Sequence, residues 1–567
     1  MTASWSLSKR CWRAQAQRRQ PGILHRALED YTCKQVLCAL ALIHAMLLLL
    51  FQWQVPDVYM DELFHERQTR AYCQGHFDVW DPKITTPPGL YLIGAALLRA
   101  VDLLRRLLFG SSTPSLCATT ATAAGSSALP YLRPISAAFN LGSFALLHAI
   151  FYRVQRLSNG EALAQALSLS LYPVVFFFGF LYYTDAASLC SVLGMYYLAR
   201  RKKHVAAAAV GGVSLMFRQT NVAWVGFVLG TSIVEDLQQA FLKKDYYYQS
   251  TPLSITGANG HPTADTASSA AYSYGTGTGT GSQFLAPSSN KKQLPDPSEP
   301  LSLSLLLRFA LYLVKSLPAT LQRFWPYLVP LFSFAGFLAW NGGKVVLGDV
   351  GHHTPTLHVA QLAYFILLTA HLHRPLLLLP GYREPAEGDK ISALRGFGRW
   401  LQQGAGTGGG LLAGLFVLTL AGLVLHRFTL SHPFLLSDNR HYTFYVWQRV
   451  FGRYQFVNLL LTPLYAVGGW WLATRVYQGS GASSRSSSLT VLVLGLAVVL
   501  VLLPAHLLEP RYMTLPIVMT LLEAPPRSHT SLCLTGIGFV CVNFVTVYVF
   551  LYRPFTWGDG SVARFMW

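Results

Sequence analysis

Apolar runs of about 20 residues, the length that spans a bilayer, alternate with short polar islands along most of the chain. The first run extends from Val36 to Trp53. Others cover 88–108, 130–152, 161–181, 184–199, 205–234, 305–340, 356–375, 409–428, 455–475, 488–508 and 511–552, the last counted as one helix or two. The pattern predicts an all-α polytopic membrane protein with about 11–13 transmembrane helices. It divides the chain into a basic tail at 1–34, an N-terminal transmembrane half at 35–245 that holds a polar loop at 55–87, a low-complexity segment at 246–300, and a C-terminal transmembrane half at 301–567.

Charge beside the runs sets orientation. The tail carries Lys9, Arg10, Arg13, Arg18, Arg19, Arg26 and Lys34 with no acid before Glu29. Such a tail also fits an organelle transit peptide, but the apolar run follows directly and lacks a small-residue cleavage site, so a signal anchor with a cytosolic tail is expected. Loop 55–87 then faces the endoplasmic reticulum lumen. Strict alternation from there puts Arg200, Arg201, Lys202 and Lys203 in the lumen, against the excess of Lys and Arg on cytosolic flanks. Either the 88–108 run does not fully cross, or one of the short segments around Tyr182 is re-entrant. Segment 246–300, with its Gly-Thr repeats, is expected to be a disordered cytosolic loop, and the glycine- and serine-rich runs near 404 and 480 are expected linkers.

Of the 567 residues, 52% are hydrophobic and only 12% charged, against about 25% charged in an average soluble domain. The net charge of +19 sits in short clusters beside apolar runs without a nucleic-acid motif, so membrane lipids, not nucleic acid, are the expected contact. The cysteines show no paired CxxC spacing, and neither a zinc site nor a disulfide framework is expected. Cys73 and Cys117 are placed to pair, although free or buried thiols are the expectation. No Asn-x-Ser/Thr acceptor is present to fix sidedness.

Chemistry is concentrated in the polar islands. The stretch from Tyr59 to Tyr91 holds Asp61, Glu62, Asp78, Asp81, His65 and His76. On a helix Asp61 and Glu62 point about 100° apart, and each meets the residue four further on, His65 and Glu66 respectively. One acid can therefore face a site while the other makes structural contacts, although an acid pair alone reads first as a solvated juxtamembrane helix whose acids sit against its own Arg67 and Arg70. The two-histidine pattern of zinc peptidases is absent and no metal is expected. Further islands are Phe217–Asn221, Trp340–His358, Ser431–Trp447 and Leu507–Tyr512. Ionisable groups near a bilayer mark a site by default. Arg218, Arg440 and Arg511, each with a structural partner available among Asp349, Asp438 and Glu509, form with the histidines at 352, 353, 358, 432 and 441 a cationic surface suited to phosphate or pyrophosphate. An acidic loop and cationic loops at one face describe a transferase with a lipid-phosphate sugar donor: a carboxylate takes the acceptor hydroxyl proton and arginines stabilise the leaving phosphate. Trp80, Trp340, Tyr442 and Trp447 read as sugar-stacking residues or interface anchors, and Asp81 before Pro82 reads as a turn cap.

The segments MDELFHERQTRAYC, WDPKITTPPGLY, FFFGFLYYTD, FRQTN, WNGGKVVLGD, SDNRHYTFYVWQR, LLEPRY and RFMW together resemble the dolichyl-phosphate-glucose-dependent alpha-1,2-glucosyltransferases that complete the dolichol-linked precursor for asparagine-linked glycosylation. The resemblance runs from about Tyr59 to Trp567. It implies a GT-C-type helical fold in the endoplasmic reticulum membrane, with a lumenal active site, dolichyl phosphate glucose as donor, a diglucosylated dolichyl-pyrophosphate-linked oligosaccharide as acceptor, and no cofactor. Asp61 matches the catalytic acid of the first lumenal loop, with Glu62 as alternative base or orienter. Arg440, His441, Arg511 and Arg218 are the expected donor phosphate ligands, and His65, Trp80, Asp81, Asp438 and Tyr442 the expected substrate contacts. A mannosyltransferase of the same superfamily is the near alternative. A multi-pass transporter is the distant one, although the two halves share no motif.

Overall fold

The computed structural model describes residues 23–110, 115–118, 128–250, 301–373, 409–454, 456–478, 487–524, 529–558 and 560–567. The expected basic tail before residue 23, the low-complexity segment from 251 to 300, and the linker runs at 404–408 and 480–486 lie outside the described residues. The helices of the N-terminal half are α1 (Ile23–Gln54), α2 (Glu62–Gln74), α3 (Gly89–Phe109), α4 (Leu129–Ala149), α5 (Asn159–Ser170), α6 (Pro173–Phe178), α7 (Thr184–Arg200), α8 (His204–Leu215) and α9 (Val222–Ser250). The C-terminal half has α10 (Leu303–Lys315), α11 (Leu317–Phe324), α12 (Leu328–Trp340), α13 (Ala360–His373), α14 (Gly409–Arg427), the short α15 (Pro433–Ser437) and α16 (Tyr442–Val446), α17 (Val457–Gln478), α18 (Ser488–Leu502), α19 (Pro510–Glu523) and α20 (His529–Tyr552). A two-residue hairpin, β1 (Phe555–Thr556) with β2 (Val562–Ala563), follows. The protein is an all-α multi-pass membrane protein.

Several apolar runs are divided where the sequence changes character. The 205–234 run breaks at Arg218–Asn221 between α8 and α9, and the 161–181 run breaks before Pro173, whose ring is tolerated at the start of a new helix but not inside one. The 511–552 run is two helices, α19 and α20. Among the described residues, Tyr31–Gln54, Leu129–Val154 and His529–Tyr552 are each long and apolar enough to cross a membrane alone, and α10 with 317–340, bent by 75°, makes a fourth candidate. Helices α8 and α18 are apolar but shorter.

Helix α3 bears on the orientation conflict. It lies along α2: Gly94 abuts Thr69, and Arg99 donates from Nε and Nη2 to the Cys73 and Tyr72 carbonyls at the α2 C-terminus, at 2.8 and 2.9 Å. There Gly75, at φ +95°, closes α2 with backbone bonds from Gly75 to Tyr72 and from His76 to Ala71. After α3 the chain returns to the same place. Asp102 accepts from Ser115 and from the Leu116 amide, Cys73 is disulfide-bonded to Cys117 with Cα atoms 5.4 Å apart, and the Ala128 amide donates to Glu66. The disulfide corrects the expectation of free thiols; the 44-residue separation hid a pair that α2 and α3 bring together. Packing along polar α2 fits the alternative in which the 88–108 run does not fully cross, and on that reading Arg200–Lys203 fall on the face opposite Asp61. That opposite face is knitted by Lys202–Glu235 at 2.7 Å, by Arg323–Asp236, and by Tyr196 donating to Glu523 at 2.8 Å.

Beneath the acidic loop, α1, α6 and α20 meet in an aromatic cluster. Phe51 packs on Phe180 and Phe550 with ring centroids 5.2 and 5.4 Å apart, and Phe177 meets Phe550 edge-on at 5.1 Å. Lipid tails are as apolar as phenylalanine, so close packing rather than transfer from water holds such contacts. The C-terminal segment then ties the loop down. Tyr59 Oη donates to the Arg564 carbonyl and accepts from its amide, while the Arg564 guanidinium binds the Phe550, Leu551 and Gln54 carbonyls at the ends of α20 and α1. Met566 runs beside His441 as a parallel bridge.

Candidate active site

The two neighbouring acids of the loop part company. Glu62 is completely buried and binds Arg133 through two bonds, Nε–Oε1 at 2.9 Å and Nη2–Oε2 at 2.7 Å, and it also accepts from the Tyr59 and Tyr182 amides. Arg133 uses its remaining donors on the Val55 and Asp57 carbonyls. With every partner supplied, this buried pair fixes the loop against the 182–183 turn. Met60, at φ +54°, adds a left-handed kink of the sort that persists where surroundings over-determine it, and beyond it Asp61 turns to the other side.

Asp61 faces a cavity of about 1640 Å³. Its amide donates to Tyr183 Oη at 3.1 Å and its Oδ2 accepts from Arg511 Nη1 at 3.1 Å. Oδ1 has no hydrogen-bond donor among the described residues, and the side chain is 39% exposed, into the cavity. Arg511 is held by Glu509, at 3.0 Å from Nε and 2.8 Å from Nη2, and lies over Phe178 and Tyr183 with its carbon 5.3 and 5.5 Å from the ring centres. Burial pushes the Asp61 carboxyl upward, but the opposing charge and hydrogen bond of Arg511 hold it below the ordinary carboxylate range. His65 is pushed down by burial, against the pull of Asp61, so its ring is neutral. Its Nδ1–H donates to the Tyr182 carbonyl at 2.9 Å, which leaves Nε2 as the lone-pair nitrogen. No hydrogen bond joins His65 to Asp61.

The cationic residues reach the same cavity, each with an acid of its own. Asp438 takes Arg440 through Nε–Oδ1 at 2.8 Å and Nη2–Oδ2 at 2.7 Å, and the guanidinium lies 4.1 Å from the Trp557 ring centre. Burial raises the Asp438 carboxyl, and Arg440 and His441 reverse that and hold it low. His441 Nδ1 donates to the Trp567 carbonyl at 2.9 Å. Arg218 pairs with Asp185 at 2.8 Å, not with Asp349. Arg218 Nε and Asp185 Oδ2 are buried without partners, which marks them as groups that a ligand or water satisfies. Farther along, the cavity is apolar, lined by Phe227, Leu331, Phe334, Val493, Leu496 and Leu500.

Of the residues singled out in the sequence, Asp61, His65, Arg218, Asp438, Arg440, His441 and Arg511 line the cavity. Glu62 lies under its floor. Trp80 packs edge-on against Tyr91 at 6.0 Å, Asp81 caps a turn by accepting from the Lys83 amide at 2.9 Å, and Tyr442 packs against Trp567 at 5.2 Å; none of the three lines the cavity. Trp340 is 77% exposed, as an interface anchor is. Nothing in the sequence singles out Arg133, near the start of an apolar run, or Trp557. Among the described residues no group of three or more His, Cys, Asp or Glu side chains is placed to hold a metal ion.

Residues 55–522 match the family described as the DIE2/ALG10 family. A protein of Homo sapiens named Dol-P-Glc:Glc(2)Man(9)GlcNAc(2)-PP-Dol alpha-1,2-glucosyltransferase is 32% identical over 549 residues, which cover 95% of this chain and 99% of that one. Relatives of the same name from Arabidopsis thaliana and Drosophila melanogaster are 31% identical over 521 residues, covering 90% and 95% of the two chains, and 29% identical over 515 residues, covering 90% and 94%. No solved structure matches.

Proposed function

The chain belongs to the DIE2/ALG10 family, and from that premise we infer that it transfers glucose from dolichyl phosphate glucose to the diglucosylated oligosaccharide on dolichyl pyrophosphate, in alpha-1,2 linkage. The observation that carries the mechanism is the split of the Asp61 carboxylate: Oδ2 fixed by Arg511, Oδ1 open to the cavity. The acceptor hydroxyl donates to Oδ1, its oxygen attacks the anomeric carbon, the carbon–oxygen bond to phosphate breaks, and the proton passes to Asp61. Attack opposite the leaving group inverts the centre, so an alpha product requires a beta-linked donor. Dolichyl phosphate departs as an anion already matched by guanidinium groups, and the reaction calls for neither a general acid nor a cofactor.

Donor phosphate is held by Arg440, His441, Arg511 and Arg218. Arg440 commits Nε and Nη2 to Asp438, while its Nη1 has no hydrogen-bond partner among the described residues. The acids beside these arginines position them and prevent an excess of positive charge. Glu62, fully engaged with Arg133, is the orienter of the loop and not the base. Two features support the lumen of the endoplasmic reticulum as the compartment of the site. The Cys73–Cys117 disulfide joins α2, which follows directly on Asp61, to the segment after α3, and disulfides persist in oxidising compartments. Arg200–Lys203 lie on the opposite face, where the positive-inside bias expects the cytosol.

The test is reconstitution of the full chain in lipid nanodiscs with synthetic dolichyl phosphate glucose or mannose and the diglucosylated acceptor. One added hexose from the glucose donor alone is expected. Transfer from the mannose donor would overturn the donor assignment, and undiminished transfer by Asp61→Asn would overturn the mechanism.

A further inference from the structure

A second polar cluster lines the cavity without a part in the chemistry above. The segments 82–85 and 347–349 run together: the Leu347 amide donates to the Thr85 carbonyl at 3.3 Å and the Asp349 amide to the Pro82 carbonyl at 2.8 Å. Between them Gly348 presses on the Pro82 and Ile84 carbonyls, where no Cβ fits. The next residue, Asp349, has φ +45°, an uncommon conformation for a residue with a side chain and one that recurs where function requires it. Asp349 Oδ1 accepts from His352 Nδ1 at 2.8 Å and lies 3.8 Å from Lys83 Nζ, while Oδ2 has only His353 Nδ1, at 3.7 Å, nearby. Among the described residues, therefore, no donor is within hydrogen-bond distance of Oδ2. The His352 ring stacks on Phe434 at 4.8 Å and its side chain is 46% exposed. Lys83, Asp349, His352, His353 and Phe434 all line the cavity.

A fixed carboxylate with an open oxygen, imidazole and ammonium donors beside it, and a stacked ring pair form a surface for the hydroxyls and C–H face of a neutral sugar. The same carboxylate repels phosphate. We propose that Asp349, with Lys83, His352 and His353, binds the terminal glucose of the acceptor oligosaccharide and presents its hydroxyl to Asp61. This rests on the transferase activity inferred above and names the acceptor side of that site.

Steady-state kinetics of the reconstituted full chain test it, with acceptor and donor varied separately and melting temperature read in parallel. Asp349→Asn keeps a residue that tolerates positive φ, and Asp349→Gly relieves the backbone altogether. Loss of one charged hydrogen bond corresponds to about a tenfold or greater rise in KM. Both variants are expected to raise the acceptor KM by at least that factor, with the donor KM unchanged and the melting temperature held or, for glycine, raised. His352→Gln is expected to raise the acceptor KM alone by a smaller factor. For an acceptor whose terminal glucose lacks the hydroxyl bound by Asp349, wild type and Asp349→Asn converge. A raised donor KM, unchanged kinetics, or a loss of both affinities with a lower melting temperature would each overturn the assignment. Failure of the wild-type chain to turn over the glucose donor would instead overturn the underlying reaction, so the two failures are distinct.

Discussion

Asp61 and Glu62 are adjacent in sequence, both carboxylates, both bonded to an arginine, and they do opposite work. Glu62 meets Arg133 at 2.7 Å with side-chain exposures of 0% and 1%, and both oxygens of its carboxylate are engaged by donors from Arg133, Tyr59 and Tyr182. Asp61 meets Arg511 at 3.1 Å with one oxygen facing a cavity. The difference shows that an acid–base pair is structural when its hydrogen bonds are exhausted by protein and available for chemistry when one oxygen is left open. Charge type and sequence position do not separate the two; the surrounding shell does.

The largest expected effect breaks the cavity pair. Asp61→Asn keeps shape and removes the proton acceptor, and transfer is expected to fall by about 10²–10⁴-fold with little change in melting temperature; a comparable loss of folded protein would place Asp61 in the structural class instead. Next comes the floor. Arg133→Met strands the Glu62 charge in a buried site, which costs about 3–5 kcal/mol, read as a lower melting temperature in detergent and a lower yield of folded protein. Retained stability in that variant would erase the distinction between the acids.

A pH profile sharpens the comparison further. Asp61 is held below the ordinary aspartate value of about 3.9, so the acid limb of kcat/KM is expected below that value. The pair's contribution to stability is present above the unfolded carboxyl pKa and lost as pH falls through the depressed folded one. Arg511→Gln removes the main opposing charge and leaves burial to act, and the acid limb is then expected to move up; an unmoved limb would show that Arg511 does not set it. The smallest effect concerns Arg440, whose cation–π contact with Trp557 is worth about 0.5–2 kcal/mol. Trp557→Leu is expected to raise the donor KM by about 2- to 30-fold without moving the acid limb.

How much of this was legible in the chain depends on which residues signal locally. Arg218, Arg440 and Arg511 stand out because charge is rare near a bilayer, and all three reach the cavity with Asp61. Arg133 gives no such cue, because its partner is 71 positions away and its neighbours are those of any span. Helix α3 is read as a span because run length counts apolar residues without regard to the face they occupy; its buried side meets polar α2. Trp80 and Asp81 sit in the right loop, yet the turn they make points them at Tyr91 and the Lys83 amide. Asp349 reads in the sequence as one of three acids available to pair with the arginines, and what distinguishes it, a positive φ beside a glycine pressed onto carbonyls, is invisible without coordinates.

The separations of the paired residues also set a timetable. Glu62 and Arg133 are 71 positions apart, and Asp61 and Arg511 are 450 apart. At about 5–20 residues per second on the ribosome, the buried acid waits roughly 4–14 s for its arginine, whereas the cavity-facing one waits roughly 20–90 s. The loop is therefore anchored early, while its cavity-facing carboxylate waits for its arginine through most of synthesis.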